Sequence, residues 1–215
     1  MGIRDRARIR RFIAESEVRR LQIGAGNNVR KGWLNTNWYP IRLGSNGAIC
    51  LDATERFPFP DNSIDRIFTE HMIEHVPYGG GRAMLAECLR VLKPGGRIRI
   101  STPDMAFLVA LLQPDLSPLQ RSYVEWAASR FLRAGQPHTA LSVVNNFVRD
   151  WGHTYIYDRP TLEGLLAELG YCEITPCEVN QSEDPDLDGI DFPERFLNPD
   201  YLRLESMVHE ASKPM

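Results

Sequence analysis

Residues 51–76 read LDATERFPFPDNSIDRIFTEHMIEHV, and a short gap later residues 85–104 read LAECLRVLKPGGRIRISTPD. The first stretch holds the end of one short apolar strand, Ala48–Leu51, closed by Asp52. A second strand follows at Ile64–Phe68 and ends in Thr69-Glu70-His71. A helix over Arg82–Leu92, running into the second stretch, gathers Met84, Leu85, Cys88, Leu89 and Leu92 on one face. Lys93-Pro94-Gly95-Gly96 stops it. The next strand, Arg97–Ser101, alternates Arg outward with Ile inward until Pro103 ends it.

The same rhythm extends both ways. Upstream, Leu21–Ile23 is a strand that turns at Gly24-Ala25-Gly26, and Gly32–Trp38 is the next. Residues 3–17 form a basic, weakly amphipathic helix with Ile9, Phe12 and Ile13 at helical spacing, expected to flank the sheet edge. Downstream, residues 104–152 are helical in composition and read as a lid or insertion. Asp158-Arg159-Pro160 then opens a helix with Leu162, Leu165, Leu166 and Leu169 on one face and Gly170 as its stop. Strands expected at about 171–179 and 201–209 close the chain, separated by the acidic loop SEDPDLDGIDFPE. Such alternation implies an α/β fold with a mostly parallel sheet covered on both faces.

The 215 residues suit one domain, with 1–19 as an N-terminal flank and 104–152 as the lid. With 43% hydrophobic and 25% charged residues, a net charge of -3 and a pI near 6.0, nothing draws the whole molecule to nucleic acid. No apolar run is long enough for a membrane span, and the Arg-rich start lacks the apolar core of a secretory signal. Cys50, Cys88, Cys172 and Cys177 form no CxxC pair, and Cys50 and Cys88 read as small buried hydrophobes. A reduced, cytoplasmic protein is the expectation.

Ligands of open α/β sheets bind at the carboxyl ends of the strands, near the point where the strand order reverses. In this chain those ends carry Gly24-Ala25-Gly26, then Asn35-Thr36-Asn37, then Asp52-Ala53, then Thr69-Glu70-His71. Glycines let a cofactor approach the backbone, and a carboxylate such as Asp52 accepts from an adenine amino group. Taken together, LQIGAGNN (21–28), GWLNTNW (32–38) and the two stretches above resemble the class I S-adenosylmethionine-dependent methyltransferases. The resemblance is to a branch often associated with glycan and secondary metabolism. It covers residues 20–105 well and extends loosely through GHTYIYDRPTLEGLLAELGY (152–171) and LRLESMVHEASK (202–213).

That resemblance implies a Rossmann-like, three-layer αβα fold with a seven-stranded, mostly parallel sheet whose last strand is antiparallel. It implies S-adenosylmethionine as cofactor, with Gly24, Ala25 and Gly26 at the methionine moiety and Asn37 on the ribose. Asp52 and Ala53 would hold the adenine, and Glu70 and His71 would lie near the sulfonium or its amino-acid tail. Two departures stand out. An acid usually occupies the place of Asn37, because a carboxylate accepts from both ribose hydroxyls while an amide offers one accepting oxygen. The link from Gly26 to Trp33 is also too short for the usual first helix.

Methyl transfer asks the protein to align an acceptor and, for an oxygen of high pKa, to remove its proton. His153 is the foremost candidate base, with His71 and Asp104 behind it; His75 and Tyr155 are also placed to contribute. Trp126, Trp151, Tyr155 and Tyr157 suit a sugar or small ring. The expected acceptor is a small molecule or glycan, methylated at oxygen, with a protein or nucleic-acid acceptor as the alternative. A catalytically degenerate binding protein is a second alternative, motivated by Asn37. His71-Met72-Ile73-Glu74-His75 also matches an H-x-x-E-H zinc-protease pattern, although its setting after a parallel strand is wrong for one, and no metal is expected.

Overall fold

The computed structural model describes residues 2–38, 47–191 and 198–215. Its core is a seven-stranded sheet built from β1 (Arg20–Ile23), β2 (Leu34–Asn37), β3 (Ile49–Cys50), β4 (Ile64–Glu70), β5 (Leu92–Pro103), β6 (Cys172–Cys177) and β7 (Ser206–Ser212). The order is β3-β2-β1-β4-β5-β7-β6, parallel through β5, with β7 antiparallel to both of its neighbours. The expected Rossmann-like sheet and its antiparallel last strand are therefore present. The order reverses between β1 and β4, which puts the crevice for a ligand at their carboxyl ends.

One face of the sheet carries Leu21, Ile23, Ile67, Ile98 and Ile100, all essentially without solvent exposure. Three helices pack on it: α1 (Ile3–Glu15), α2 (Tyr78–Val91) and α6 (Arg159–Leu169). Helix α2 buries Met84, Leu85, Cys88 and Val91, and α6 buries Leu162, Leu165 and Leu166. The ends of α6 are specified by its sequence. Asp158 accepts from the Thr161 N–H, Pro160 stands in the first turn, and Gly170 closes the helix in the left-handed region at φ 97°. Helix α1 lies along the β3 edge, with Ile9 buried and Arg8 donating to the carbonyls of Gly47 and Ala48.

The opposite face corrects the simple alternation expected of β5. Arg99 does point away from the isoleucines, but it is fully buried. The acidic segment 178–191 runs over this face and is pinned by the strand arginines. Arg20 pairs with Asp186 at 2.6 Å and Arg66 with Asp184 at 2.5 Å. Arg99 forms a two-toothed pair with Asp191 at 3.0 and 2.5 Å, reaches Glu210 at 2.6 Å, and donates to the carbonyls of Glu178 and Gln181. Burying a guanidinium costs several kcal/mol, about as much as its pairing returns, so this network specifies where the segment lies more than it stabilises the fold.

Residues 105–149 form α3 (Met105–Ala110), α4 (Pro118–Phe131) and α5 (Ala140–Arg149), which share an apolar cluster of their own around Phe107, Tyr123, Val143 and Phe147. The expected strand over 201–209 starts later, at Ser206. Residues Pro199–Glu205 are instead α7, because Asn198 caps the Asp200 N–H and Pro199 is preset for a first helical turn. Strand β5 starts earlier than expected: Leu92 already pairs with Ile64, and Lys93–Gly96 bulges out before Arg97 pairs with Arg66. Cys88 is buried as expected, whereas Cys50 is only half-buried, and all four cysteines are free. No helix among the described residues is long and apolar enough to cross a membrane.

Candidate functional site

The two glycines after β1 serve different ends. Both have positive φ, 69° at Gly24 and 53° at Gly26, where a side chain would strain the turn. A Cβ on Gly24 would fall 2.3 Å from Met72 Cγ, so Gly24 is small because Met72 fills the space in front of it. A Cβ on Gly26 would meet no atom within 4 Å. That turn follows β1 at the switch point of the sheet.

The asparagines at the end of β2 explain how a short link replaces the usual first helix. Asn37 Oδ1 accepts from the Gly26 N–H at 2.7 Å, and Asn37 Nδ2 donates to the Gly26 carbonyl at 3.1 Å. One side-chain amide thus matches both halves of one peptide unit. Asn35 does the same for the rest of the link. It accepts from the Arg30 N–H at 2.8 Å and donates to the carbonyls of Arg30 and Trp33, each at 3.0 Å. A carboxylate at position 37 would accept from the N–H but repel the carbonyl. The departure from the usual acid therefore has a structural cause.

Asp52 lies just beyond β3 and accepts from the Thr54 hydroxyl at 2.7 Å, the Thr54 N–H at 2.9 Å and Trp38 Nε1 at 3.1 Å. The Thr54 hydroxyl chiefly holds its carboxyl below the ordinary value, so it is ionised at neutral pH. Glu70, at the end of β4, receives Asn28 Nδ2 at 3.4 Å. Carboxylates thus stand at or just past the ends of β3 and β4, the neighbours in the sheet order on either side of β2 and β1.

Next to this crevice, His71 begins a turn with φ 46°, a strained value for a histidine. Its Nε2 lies 3.0 Å from Ser206 Oγ and its Nδ1 3.4 Å from Glu74 Oε1. Glu74 has no exposure, and Thr102 Oγ1 donates to its Oε2 at 3.0 Å. Burial alone would raise the Glu74 pKa, but His71 and the other nearby imidazoles hold it below the ordinary carboxylate range. Residues Ile73–His75 form a single 3-10 turn. His71 and His75 therefore do not share an α-helical face, the arrangement the zinc-protease pattern needs.

His71, Glu74 and His75 form the floor of a cavity of about 300 Å³. Trp126, Phe131, Phe147 and Trp151 supply aromatic walls, and Glu205, His153 and Arg130 complete the lining. The segment 151–155 is strapped across it: Thr154 and Tyr155 donate their N–H groups to the Glu74 carbonyl at 2.7 and 3.1 Å, and the Thr154 hydroxyl reaches the His75 carbonyl at 3.0 Å. His153 Nδ1 sits 2.6 Å from the Phe147 carbonyl, which makes Nδ1 the protonated nitrogen and leaves Nε2 with its lone pair. Burial lowers the His153 pKa and keeps the ring neutral near pH 7.

The candidate residues from the sequence thus fall into two adjoining groups. Gly26, Asn37, Asp52 and Glu70 lie at or just past the ends of β1 to β4, while His71 and His153 line the cavity. The Asp104 carboxylate accepts from the Ala106 N–H at 2.9 Å and caps α3, and it is not among the residues lining the cavity. Tyr157 is fully buried against the core, whereas Trp126 and Trp151 do line the cavity. Phe131, Phe147 and Glu205 were not legible as site residues, since apolar positions on a helix look alike until the helices are docked.

Residues 34–100 match a family described as the methyltransferase domain. An uncharacterised 37.1 kDa protein encoded in a Streptomyces fradiae transposon is 34% identical over 85 residues; the match takes in 40% of this chain and 24% of that protein. Among solved structures, a SAM-dependent methyltransferase from Archaeoglobus fulgidus aligns with a TM-score of 0.56 at 20% identity, over 97% of this chain and 92% of that one. A second from Mesorhizobium loti aligns with a TM-score of 0.56 at 14% identity, over 91% and 90%. Phosphoethanolamine N-methyltransferase 2 of Haemonchus contortus, in complex with phosphomonomethylethanolamine and S-adenosylhomocysteine, gives 0.51 at 16% identity, over 100% of this chain and 53% of that one. At these identities the structural likeness is one of fold. The fold is that of the class I S-adenosylmethionine-dependent methyltransferases, as the motifs in the sequence implied.

Proposed function

From a methyltransferase domain in the class I fold, we propose that this protein transfers a methyl group from S-adenosylmethionine to an oxygen of a small-molecule or glycan acceptor held in the aromatic cavity. The observation that carries the reading is adjacency: β1 pairs with β4 up to Ile23 and Thr69, so the Gly24–Gly26 turn follows β1 beside the end of β4 at Glu70, and the next residue, His71, lines the aromatic cavity. S-adenosylmethionine, when bound, supplies an electrophilic methyl group on a sulfonium. Gly26 provides the close backbone approach, Glu70 a counter-charge for the amino group, and Asp52 an acceptor for the adenine edge. Asn37 positions Gly26, and its amide keeps lone-pair capacity for one ribose hydroxyl.

On the acceptor side, His71 is the better-placed base of the two imidazoles. Its Nδ1 faces the buried Glu74 carboxylate, which orients the ring and stabilises the imidazolium that forms as Nε2 takes the acceptor proton. Nε2 lies 3.0 Å from Ser206 Oγ, a bond that an acceptor hydroxyl takes over as it binds. The aromatic walls suit a sugar face or small ring and exclude water from the reacting atoms. The test is a screen of saccharides and small phenols with labelled S-adenosylmethionine. Label transferred to one of these classes, and lost in His71→Ala with S-adenosylhomocysteine still bound, supports the reading. Cofactor binding without transfer to any acceptor class favours the degenerate binder, and transfer to protein or RNA alone assigns the acceptor elsewhere.

A further inference from the structure

We infer that Glu74, His75 and His153 form a binding site for one divalent transition-metal ion in the floor of the acceptor cavity. One carboxylate oxygen of Glu74 and one ring nitrogen from each histidine lie within 4.8 Å of one another. Ligand bonds of about 2.0–2.2 Å require donors to converge a little further than this, a change that small rotations of the two imidazoles supply. Three further observations support an ion at this place.

First, Glu74 is a fully buried carboxylate whose ion-pair neighbours among the described residues are the imidazoles of His71 at 3.4 Å and His75 at 4.0 Å. Its Oε1 accepts no hydrogen bond of good geometry, although Oε2 is satisfied by Thr102. Imidazole nitrogens stand near Oε1, at 3.4 and 4.0 Å, and a cation beside that oxygen offsets the cost of its burial. Second, His153 presents a bare Nε2 because its Nδ1–H is spent on the Phe147 carbonyl. Metal-binding histidines are usually held this way, with the second nitrogen donating to a carbonyl that fixes ring and tautomer. Third, the backbone holds the donors in register: Thr154 and Tyr155 tie the His153 segment to the Glu74 carbonyl.

Two histidines and one carboxylate suit Zn²⁺, Co²⁺ or Fe²⁺ in preference to Mg²⁺ or Ca²⁺. Three protein ligands leave positions open toward the cavity, where an acceptor oxygen can bind. The metal site stands on its own geometry, while its placement beside an acceptor rests on the methyltransferase reading.

The test is titration of the chelator-treated full chain with Co²⁺ and Zn²⁺. We expect one equivalent of Co²⁺ with visible ligand-field bands, displaced by one equivalent of Zn²⁺. His75→Ala, His153→Ala and Glu74→Gln should each lower Zn²⁺ affinity at least about tenfold, whereas His138→Ala, an exposed histidine outside the cluster, should leave it unchanged. If a variant misfolds, ¹⁵N imidazole shifts of His75 and His153 in the wild-type chain on adding Zn²⁺ report ligation directly. No stoichiometric uptake, or uptake that leaves both imidazoles unshifted, overturns the site. S-adenosylhomocysteine binding, measured in parallel, separates the two readings: its loss with metal uptake intact removes the methyltransferase reading alone.

Discussion

Replacing Asn37 by Asp removes one of its two hydrogen bonds to Gly26, beside the proposed cofactor crevice. By family habit the carboxylate would improve ribose binding, and the sequence alone encourages that expectation. In the structure, Asn37 Nδ2 donates to the Gly26 carbonyl at 3.1 Å while Oδ1 accepts from the Gly26 N–H at 2.7 Å, and the side chain is 9% exposed. Asp keeps the second bond and turns the first into a contact between two oxygens. Stranding a buried acceptor costs about 1–3 kcal/mol. A ribose hydroxyl that gains a second accepting oxygen returns roughly 1 kcal/mol, so the loss outweighs the gain. The difference, about 0–2 kcal/mol, gives an expected decrease in S-adenosylhomocysteine affinity of up to roughly thirtyfold, using tenfold per 1.4 kcal/mol. Calorimetric titration of both forms, with a thermal melt of each, reads it. Tighter binding by Asn37→Asp with an unchanged melting temperature would refute the assignment of Asn37 as the clamp on Gly26.

Gly24→Ala should destabilise the fold by more than about 1 kcal/mol, since it combines positive φ with a collision against Met72; Gly24→Ala/Met72→Ala should recover part of that in a urea titration, and equal losses would contradict the packing role. Asp52→Ala should weaken S-adenosylhomocysteine binding by about 1–3 kcal/mol with little change in stability, and unchanged calorimetric affinity would remove Asp52 from the crevice. His71→Ala should lower the methyl-transfer rate by about 10²–10⁴ while leaving cofactor affinity nearly constant; full turnover would return the proton-accepting role to His153. Asp191→Ala leaves Arg99 buried with one carboxylate partner, and should destabilise by about 3–5 kcal/mol, whereas replacing Arg99, Asp191 and Glu210 together by apolar residues should cost less. Denaturant midpoints for the two variants in the reverse order would count against the buried ion network.

The sheet was legible because its strands are short apolar runs with turn residues between them, and because α2 and α6 follow a 3.6-residue period. What escaped was whatever depends on tertiary contact. Arg99 reads as an outward residue of an alternating strand, and only the docking of 178–191 over it reveals a buried pair with Asp191. Residues 199–205 read as a strand because Tyr201, Leu202 and Leu204 are apolar, yet the Asn198-Pro199 cap turns them into α7. At the candidate site, the strand-end reading singled out Gly26, Asp52, Glu70 and His71, and the structure has them at or just past the ends of β1, β3 and β4. The reason for asparagine at position 37 was hidden, since it lies in a backbone unit that the side chain completes. Asp104 illustrates the opposite case: a carboxylate just past a strand end that caps a helix. The part played by Glu74 was visible only as the acid between two histidines, and its burial was not.

Binding of S-adenosylhomocysteine to the purified full chain tests the central claim most directly. A methyltransferase with its cofactor crevice at Gly26, Asp52 and Glu70 takes up one equivalent with micromolar affinity, and Asp52→Ala weakens that uptake without unfolding the chain. Absence of binding heat up to high micromolar ligand, in a protein whose thermal melt shows it folded, would contradict it.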